Sequence, residues 1–408
     1  MSPKFIYEAV RADGSKNDGT AEAADRYALA RQLRSEGLTV VKVTSAEVAA
    51  RRGGLGRFWR NFAGRVSIKE KIIFASSLGA MVGAGLTLSR ALDVVGRQSS
   101  SKRFRQIVGE ISERVQKGSS LHEALAAAGN IFPPVFTAMV AAGEESGKLP
   151  QSLEVVRQQL AKSYDLRRKI RGAMIYPAVI VSVIIVIGIL MMIFLVPNLS
   201  ALFRDLKVEL PLSTRLVIGT SDFLANHLWL FLLGLAVAIA AAVKFSRSLT
   251  GQRLATRVWM HLPAIRTIIK NYNAAVTMRT ISSLISSGVS MIESLKITQE
   301  VLQNLYYREV LGTALESIQK GGTLSQTFKQ HEDIFPVLVG EMTEVGEETG
   351  NLSGMLLKGA VFFEEDVDQA TKNLSTIIEP ALMILIGIFV GFFAVSMLGP
   401  MYSLSDAI

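Results

Sequence analysis

The 408-residue chain contains no cysteine, which excludes disulfides and thiolate metal sites. Histidine is scarce. His122, His227, His261 and His331 are scattered, and none forms an H-E-x-x-H pair. No group of side chains is spaced for nucleophilic catalysis. The stretch Gly143–Lys148, GEESGK, is one residue short of a phosphate-cradling G-x-x-x-x-G-K-S/T loop, and Leu149 follows its lysine. Gly53-Gly54-Leu55-Gly56 opens no apolar helix after a strand, so it is no dinucleotide fingerprint. The chain reads as a non-enzyme, with no catalytic or cofactor-binding residues and no cofactor. Its opening, MSPKFIYEAVRADGS, lacks the apolar stretch of a signal peptide, which places the N-terminus in the cytosol.

Charge is missing in three long windows. Residues 172–203, 223–243 and 380–405 carry no Asp, Glu, Lys or Arg, in a chain that is 49% hydrophobic. A helix needs ~20 apolar residues to cross ~30 Å of hydrocarbon at ~1.5 Å per residue. Transmembrane helices are therefore expected within 173–197, 223–243 and 377–400. The second carries Asn226 and His227 near its start, and a buried core helix is the alternative there. The formal charge of +9 is explained by position. Arg167, Arg168, Lys169 and Arg171 precede the first span, and Lys244, Arg247, Arg253 and Arg257 follow the second, whereas 197–222 is balanced. The positive-inside rule puts 1–171 and 244–376 in the cytoplasm and 198–222 outside.

Present instead is an internal repeat. Displacing the chain by 203 residues aligns QKGSSL (116–121) with QKGGTL (319–324), Ile131-Phe132-Pro133 with Ile334-Phe335-Pro336, and Gly143-Glu144-Glu145 with Gly346-Glu347-Glu348. Pro177 falls on Pro380 and Pro197 on Pro400. Between 116 and 150, thirteen of 35 positions are identical without a gap, so the match reflects duplication. Each unit is a helical bundle followed by an outgoing span. Two like-oriented units need a return helix, which 223–243 supplies. This is a direct repeat, unlike the inverted repeats of many secondary transporters.

The apolar spacing inside each unit is helical, as at Leu78, Met81, Val82, Leu86 and at Ile281, Leu284, Ile285, Val289. Gly85, Gly288, Gly118 and Gly321 mark helix ends and turns. Residues 5–7 and 38–43 read as short strands flanking a helix around Ala24–Ser35. The expected fold is mainly α: a polytopic membrane protein with two repeated cytoplasmic helical bundles, three transmembrane helices and a small N-terminal α+β module. The module takes residues 1–48, and a basic linker 49–68. The first bundle, 69–172, leads to the first span, the 198–222 periplasmic loop and the return helix. A cytoplasmic connector, 244–271, precedes the second bundle, 272–376, then the third span and a short periplasmic tail, 401–408. Residues 51–71 hold seven basic residues against Glu70. They read as a solvated linker or, with Phe58, Trp59 and Phe62, as a segment on anionic lipid. No motif accompanies that charge, so no nucleic acid is expected.

The repeated phrase Glu-Glu-Ser/Thr-Gly is the candidate site: Glu144, Glu145 and Gly147, with Glu347, Glu348 and Gly350. Gly147 and Gly350 are expected as left-handed residues closing a helix. A carboxylate in the last turn opposes the helix dipole at ~0.3–1 kcal/mol. Accepting this in both copies implies that the glutamates meet something cationic. An arginine within the bundle, a partner's basic surface and a divalent cation such as calcium are the three readings. Calcium would need further oxygen ligands that the sequence does not identify.

These features together resemble the inner-membrane platform proteins of type II secretion systems and type IV pilus machines, the general secretion pathway F family. The resemblance covers nearly the whole chain. It rests on FIYEAVRADGS…LARQLRSEGLTVVKV, on AGLTLSRAL with SGVSMIESL, on GEESGKL with GEETGNL, and on KIRGAMIYP entering the first span. Residues 44–66 are richer in arginine than the family pattern, and Glu379 stands where a tyrosine is usual. The resemblance implies a non-enzymatic, oligomeric hub in the bacterial inner membrane. Its expected partners are a hexameric secretion or pilus-assembly ATPase, inner-membrane assembly proteins, pilin or pseudopilin subunits, membrane lipid and further copies of itself. A small secondary transporter or a membrane-bound sensor is the alternative, although the spans carry no charge at their centres.

Overall fold

The computed structural model of the chain describes residues 4–11, 16–23, 28–29, 38–45, 66–205, 211–261 and 263–405, in two units, residues 1–67 and 68–408. The first holds a three-stranded antiparallel sheet of order β2-β1-β3, with β1 at Lys4–Arg11, β2 at Lys16–Glu22 and β3 at Leu38–Ser45. β1 pairs from Lys4↔Glu22 to Val10↔Lys16 on one side. On the other it pairs from Phe5↔Ser45 to Arg11↔Leu38, with an irregularity at Glu8/Ala9. β1 and β3 contain the two expected strands. β2 was not expected, because KNDGTAE holds a single β-branched residue and no aromatic; partnership with β1 supplies what its composition lacks. Of the helix expected around Ala24–Ser35, only Ala28 and Leu29 are described, both helical, and the basic linker through residue 65 lies outside the described residues.

Among the described residues of the second unit every regular element is a helix. α1 (Ile68–Gly83), α2 (Leu88–Gln98), α3 (Lys102–Gln116), α4 (Leu121–Ala127), α5 (Pro134–Glu145) and the start of α6 (Leu149–Leu190) form the first bundle. A π turn, Met191–Leu195, carries α6 into α7 (Val196–Asp205); α8 (Leu212–Arg247) and α9 (Leu249–His261) follow. The second bundle comprises α10 (Pro263–Ser286), α11 (Met291–Val301), α12 (Leu305–Gln319), α13 (Leu324–Gln330), α14 (Val337–Glu348) and the start of α15 (Leu352–Ser405). Both ends of α2, α3, α4 and α5 recur 203 residues later in α11 to α14, and α15 starts 203 residues after α6. The reason is local. Ser101 and Asn304 cap α3 and α12 by accepting from Phe104 N and Tyr306 N, and Ser120 and Thr323 cap α4 and α13 in the same way.

The cores share a frame but not an occupancy. In the first, Phe132 lies 5.4 Å from Phe74 and 5.0 Å from Phe136, ring centre to ring centre. In the second, Phe335 packs on Tyr307 at 4.9 Å and Phe328 at 4.8 Å. Thr277 and Val339 occupy the places of Phe74 and Phe136, while Phe328 replaces Leu125, so aromatic volume has moved within a conserved frame. Burial raises the Tyr307 hydroxyl pKa well above the usual tyrosine range, and that hydroxyl donates to the Ile334 carbonyl at 3.0 Å. The bundles are joined by a buried polar clasp. Gln159 Nε2 donates to Thr280 Oγ1 at 2.9 Å, and Gln159 Oε1 accepts from Ser283 Oγ at 3.2 Å.

Leu149–Phe203, Leu212–Ser246 and Leu352–Leu398 are helices long and apolar enough to cross a membrane. Their large side chains, such as Ile185, Trp229 and Ile388, are exposed, as a hydrocarbon solvent allows. The first and third spans are the C-terminal parts of α6, of 42 residues, and α15, of 54 residues, and neither helix breaks where bundle gives way to span. Residues 198–222 differ from the expected loop, because α7 and the first turns of α8 occupy most of them. Val196, Phe203, Val217, Ile218, Phe393 and Met397 close into an apolar cluster there, so the segment had a hydrophobic surface to fold against. Inside the π turn, Val196 N–H donates to the Met191 carbonyl. The next carbonyl, that of Met192, would look to Pro197, which has no N–H, and the Ser221 hydroxyl donates to it instead.

Candidate functional site: the paired Gly-Glu-Glu turns

α5 and α14 both end in the repeated phrase. Gly147 and Gly350 each adopt φ 67°, the left-handed conformation expected of them. Lys148 N–H donates to the Gly143 carbonyl at 2.8 Å and Gly147 N–H to the Glu144 carbonyl at 3.2 Å, which closes the helix end. The glycine before the glutamates serves a different purpose. A Cβ on Gly143 would lie 2.5 Å from Ser152 Cβ, and one on Gly346 would lie 2.9 Å from Leu352 Cα. Each turn is therefore a tight corner between a bundle helix and the helix that becomes a span.

The two glutamates of a pair have different environments. Glu144, with 19% of its side chain exposed, reaches back to the N-terminus of α4. It accepts from Leu121 N at 2.6 Å, His122 N at 3.0 Å and His122 Nδ1 at 2.7 Å. Glu347 accepts from Leu324 N at 2.7 Å and Ser325 N at 3.3 Å at the start of α13, and from the Ser325 hydroxyl. These amides are orphans of a helix start, and the positive end of that helix's dipole lies behind them. Together with Ser120 and Thr323, each of which caps one amide further on, the carboxylates complete both N-termini. The cationic feature facing Glu144 and Glu347 is thus the start of a neighbouring helix. Their oxygens face N–H donors, the opposite of the oxygen cage that calcium takes. No group of three or more His, Cys, Asp or Glu suited to a metal occurs among the described residues. Glu145 and Glu348 are exposed at the ends of α5 and α14.

His122 is a participant that sequence reading left as one of four scattered histidines. Its signal is positional, since it stands in the second residue of α4 where the other copy has Ser325. His331 Nδ1 lies 2.9 Å from the Thr327 carbonyl, and His227 stacks on Phe223 at a non-helical residue of α8. The copies also differ in surface. Lys329 on α13 pairs with Glu344 at 2.7 Å and Glu341 at 3.0 Å on α14, and those carboxylates raise its pKa. Ala126, Ala141 and Ala138 stand at the matching places of the first bundle. Two duplicated frames consequently present two different faces.

Comparison with known proteins follows the same division. The family model described as type II secretion system protein F matches residues 74–197 and again 277–400, the same offset of 203 residues. A model of that protein's N-terminal domain matches residues 2–44. The type IV pilus assembly protein PilC of Thermus thermophilus is 34% identical over 411 aligned positions, covering 98% of each chain. The protein of that name from Myxococcus xanthus is 29% identical over 99% of this chain and 96% of its own. The type II secretion system protein F of Aeromonas hydrophila is 31% identical over 92% of this chain and 96% of its own.

Proposed function

Since the chain belongs to the type II secretion system protein F family, we propose that it is a non-enzymatic membrane platform that couples a cytoplasmic hexameric ATPase to the extraction and assembly of pilin or pseudopilin subunits. Each bundle runs into a membrane helix without a break, α6 from the first and α15 from the second. This continuity is the observation that carries the reading. A helix transmits rotation and tilt along its axis, so a displacement imposed on a bundle reaches the span it owns. The corners at Gly143 and Gly346 fasten the rest of each bundle to that shaft. In this reading both bundles and the N-terminal module lie in the cytoplasm of a bacterial inner-membrane protein, and residues 198–222 and the C-terminal tail lie in the periplasm. Exposed Glu145 and Glu348 are then available to basic surfaces of the ATPase or of neighbouring assembly proteins.

The test is to break the shaft. Insertion of a short Gly-Ser segment between residues 172 and 173 should abolish filament assembly. The variant should still reach the membrane and still be captured by the cognate ATPase. Normal assembly in that variant would refute coupling through α6.

A further inference from the structure

The structure places α9 (Leu249–His261) at a level that the established features leave unused. Its start is tied to the end of the second span. Ser248 ends α8, and its hydroxyl accepts from Gly251 N at 3.0 Å. Gly251 lies so close to the last turn of α8 that a Cβ on it would fall 1.8 Å from the Phe245 carbonyl oxygen. α9 thus departs at the depth where the apolar run 223–243 gives way to Lys244.

The other end of α9 is located independently. α10 begins immediately after it and runs antiparallel to α15, with Asn271 Nδ2 3.2 Å from Asp366 Oδ2 and Ser282 Oγ 2.7 Å from the Ser353 carbonyl. Continued toward the start of α10, that register brings its first turn level with residues 372–374. The charge-free window of the third span opens just beyond Glu379. Both ends of α9 therefore lie near the membrane boundary, and the helix runs along the surface.

Its side chains sort accordingly. Arg253 pairs with Glu309 at 3.0 Å, and Thr256 Oγ1 lies 3.5 Å from Asn304 Nδ2, so one face rests on the second bundle. Leu254 and Val258, one turn apart, and the adjacent Trp259 are 50%, 55% and 48% exposed and form the other face. Lys244 and Arg257 are exposed beside it. Arg257 also lines a cavity of about 480 Å³ with Met260, Arg266, Tyr306, Asp333 and Ile334, in which two guanidinium groups stand against one carboxylate.

We propose that the Leu254–Val258–Trp259 face of α9 is embedded in the interfacial layer of the leaflet that carries the bundles, with Lys244 and Arg257 facing anionic lipid head groups. A stripe of aliphatic residues with tryptophan, rimmed by arginine and continuous with a membrane span, has the composition of an interfacial helix. The occupant of this face is lipid. The inference rests on the reading of 223–243 as a span, and the experiment separates the two. The chain has three tryptophans, Trp59, Trp229 and Trp259. The full chain is reconstituted in phosphatidylglycerol-containing vesicles in two forms. W59F/W229F keeps only Trp259, and W59F/W259F keeps only Trp229, which lies in the second span and is 65% exposed. Lipids brominated near the head of the acyl chain should quench Trp259, and aqueous iodide should quench it several-fold less than in denatured protein. Trp229 emission quenched by brominated lipid, with Trp259 untouched by lipid and open to iodide, would overturn the inference alone. Protection of Trp259 from both quenchers would overturn it in favour of a protein contact. Absence of lipid quenching at Trp229 would remove the span, and the inference with it.

Discussion

Glu144 and Glu145 are adjacent in sequence, yet truncating them should have different consequences. Glu144→Ala removes a carboxylate that accepts from two backbone amides and from His122. A hydrogen bond to a charged group contributes about 1.5–3 kcal/mol where it is well buried, and loss of a helix cap costs about 0.5–2 kcal/mol. These ranges describe overlapping effects and are not summed. Truncation also relieves the repulsion between Glu144 and the end of its own helix, about 0.3–1 kcal/mol. The net local cost is about 2 kcal/mol, which is roughly a 30-fold loss of protection at tenfold per 1.4 kcal/mol. Glu145→Ala removes an exposed carboxylate that opposes the same dipole, so its effect should stay within about 0.5 kcal/mol, with a stabilising sign. Hydrogen–deuterium exchange of the intact protein in detergent reads this at the start of α4. Amides of residues 121–123 should lose protection in Glu144→Ala and retain it in Glu145→Ala, and Glu347→Ala should do the same at 324–326. Equal effects of the two adjacent substitutions would refute the reasoning.

Two further outcomes follow from the same geometry. Gly143→Ala places a Cβ 2.5 Å from Ser152 Cβ and should cost about 1–3 kcal/mol. Gly109→Ala, in α3 with nothing within 4 Å of the added carbon, should be neutral or slightly stabilising; thermal unfolding of both variants in one detergent tests the contrast. Lys169 at 2.9 Å, then Lys372 at 3.1 Å, hold the Asp368 carboxyl below the usual carboxylate range. A depressed folded-state pKa means that the contribution is complete above the ordinary carboxylate value and is lost as pH falls through the lower one. Melting temperature should therefore decline below about pH 4, and Asp368→Asn should flatten part of that decline.

Much of the architecture was legible in the sequence because its signals are local or self-similar. Three charge-free windows identify the membrane helices through the cost of moving charge into hydrocarbon. The repeat was readable because duplicated cap residues and turn glycines still stand 203 positions apart, and these set helix boundaries without reference to distant contacts. β2 escaped because KNDGTAE is extended only through the ladder that β1 offers it. The helices at 198–205 and 212–222 escaped because their apolar residues acquire a partner only when Phe393 and Met397 are brought beside them.

The glutamate pair marks the division most clearly. The sequence alone determined that two acids end a helix in each copy, and that this placement is unfavourable unless something positive lies nearby. Only tertiary structure decided that Glu144 and Glu347 face a neighbouring helix start while Glu145 and Glu348 face outward. Consecutive residues on a helix point about 100° apart. Which direction meets α4 or α13 depends on how the bundle closes, and that information resides in packing between helices far apart in the chain.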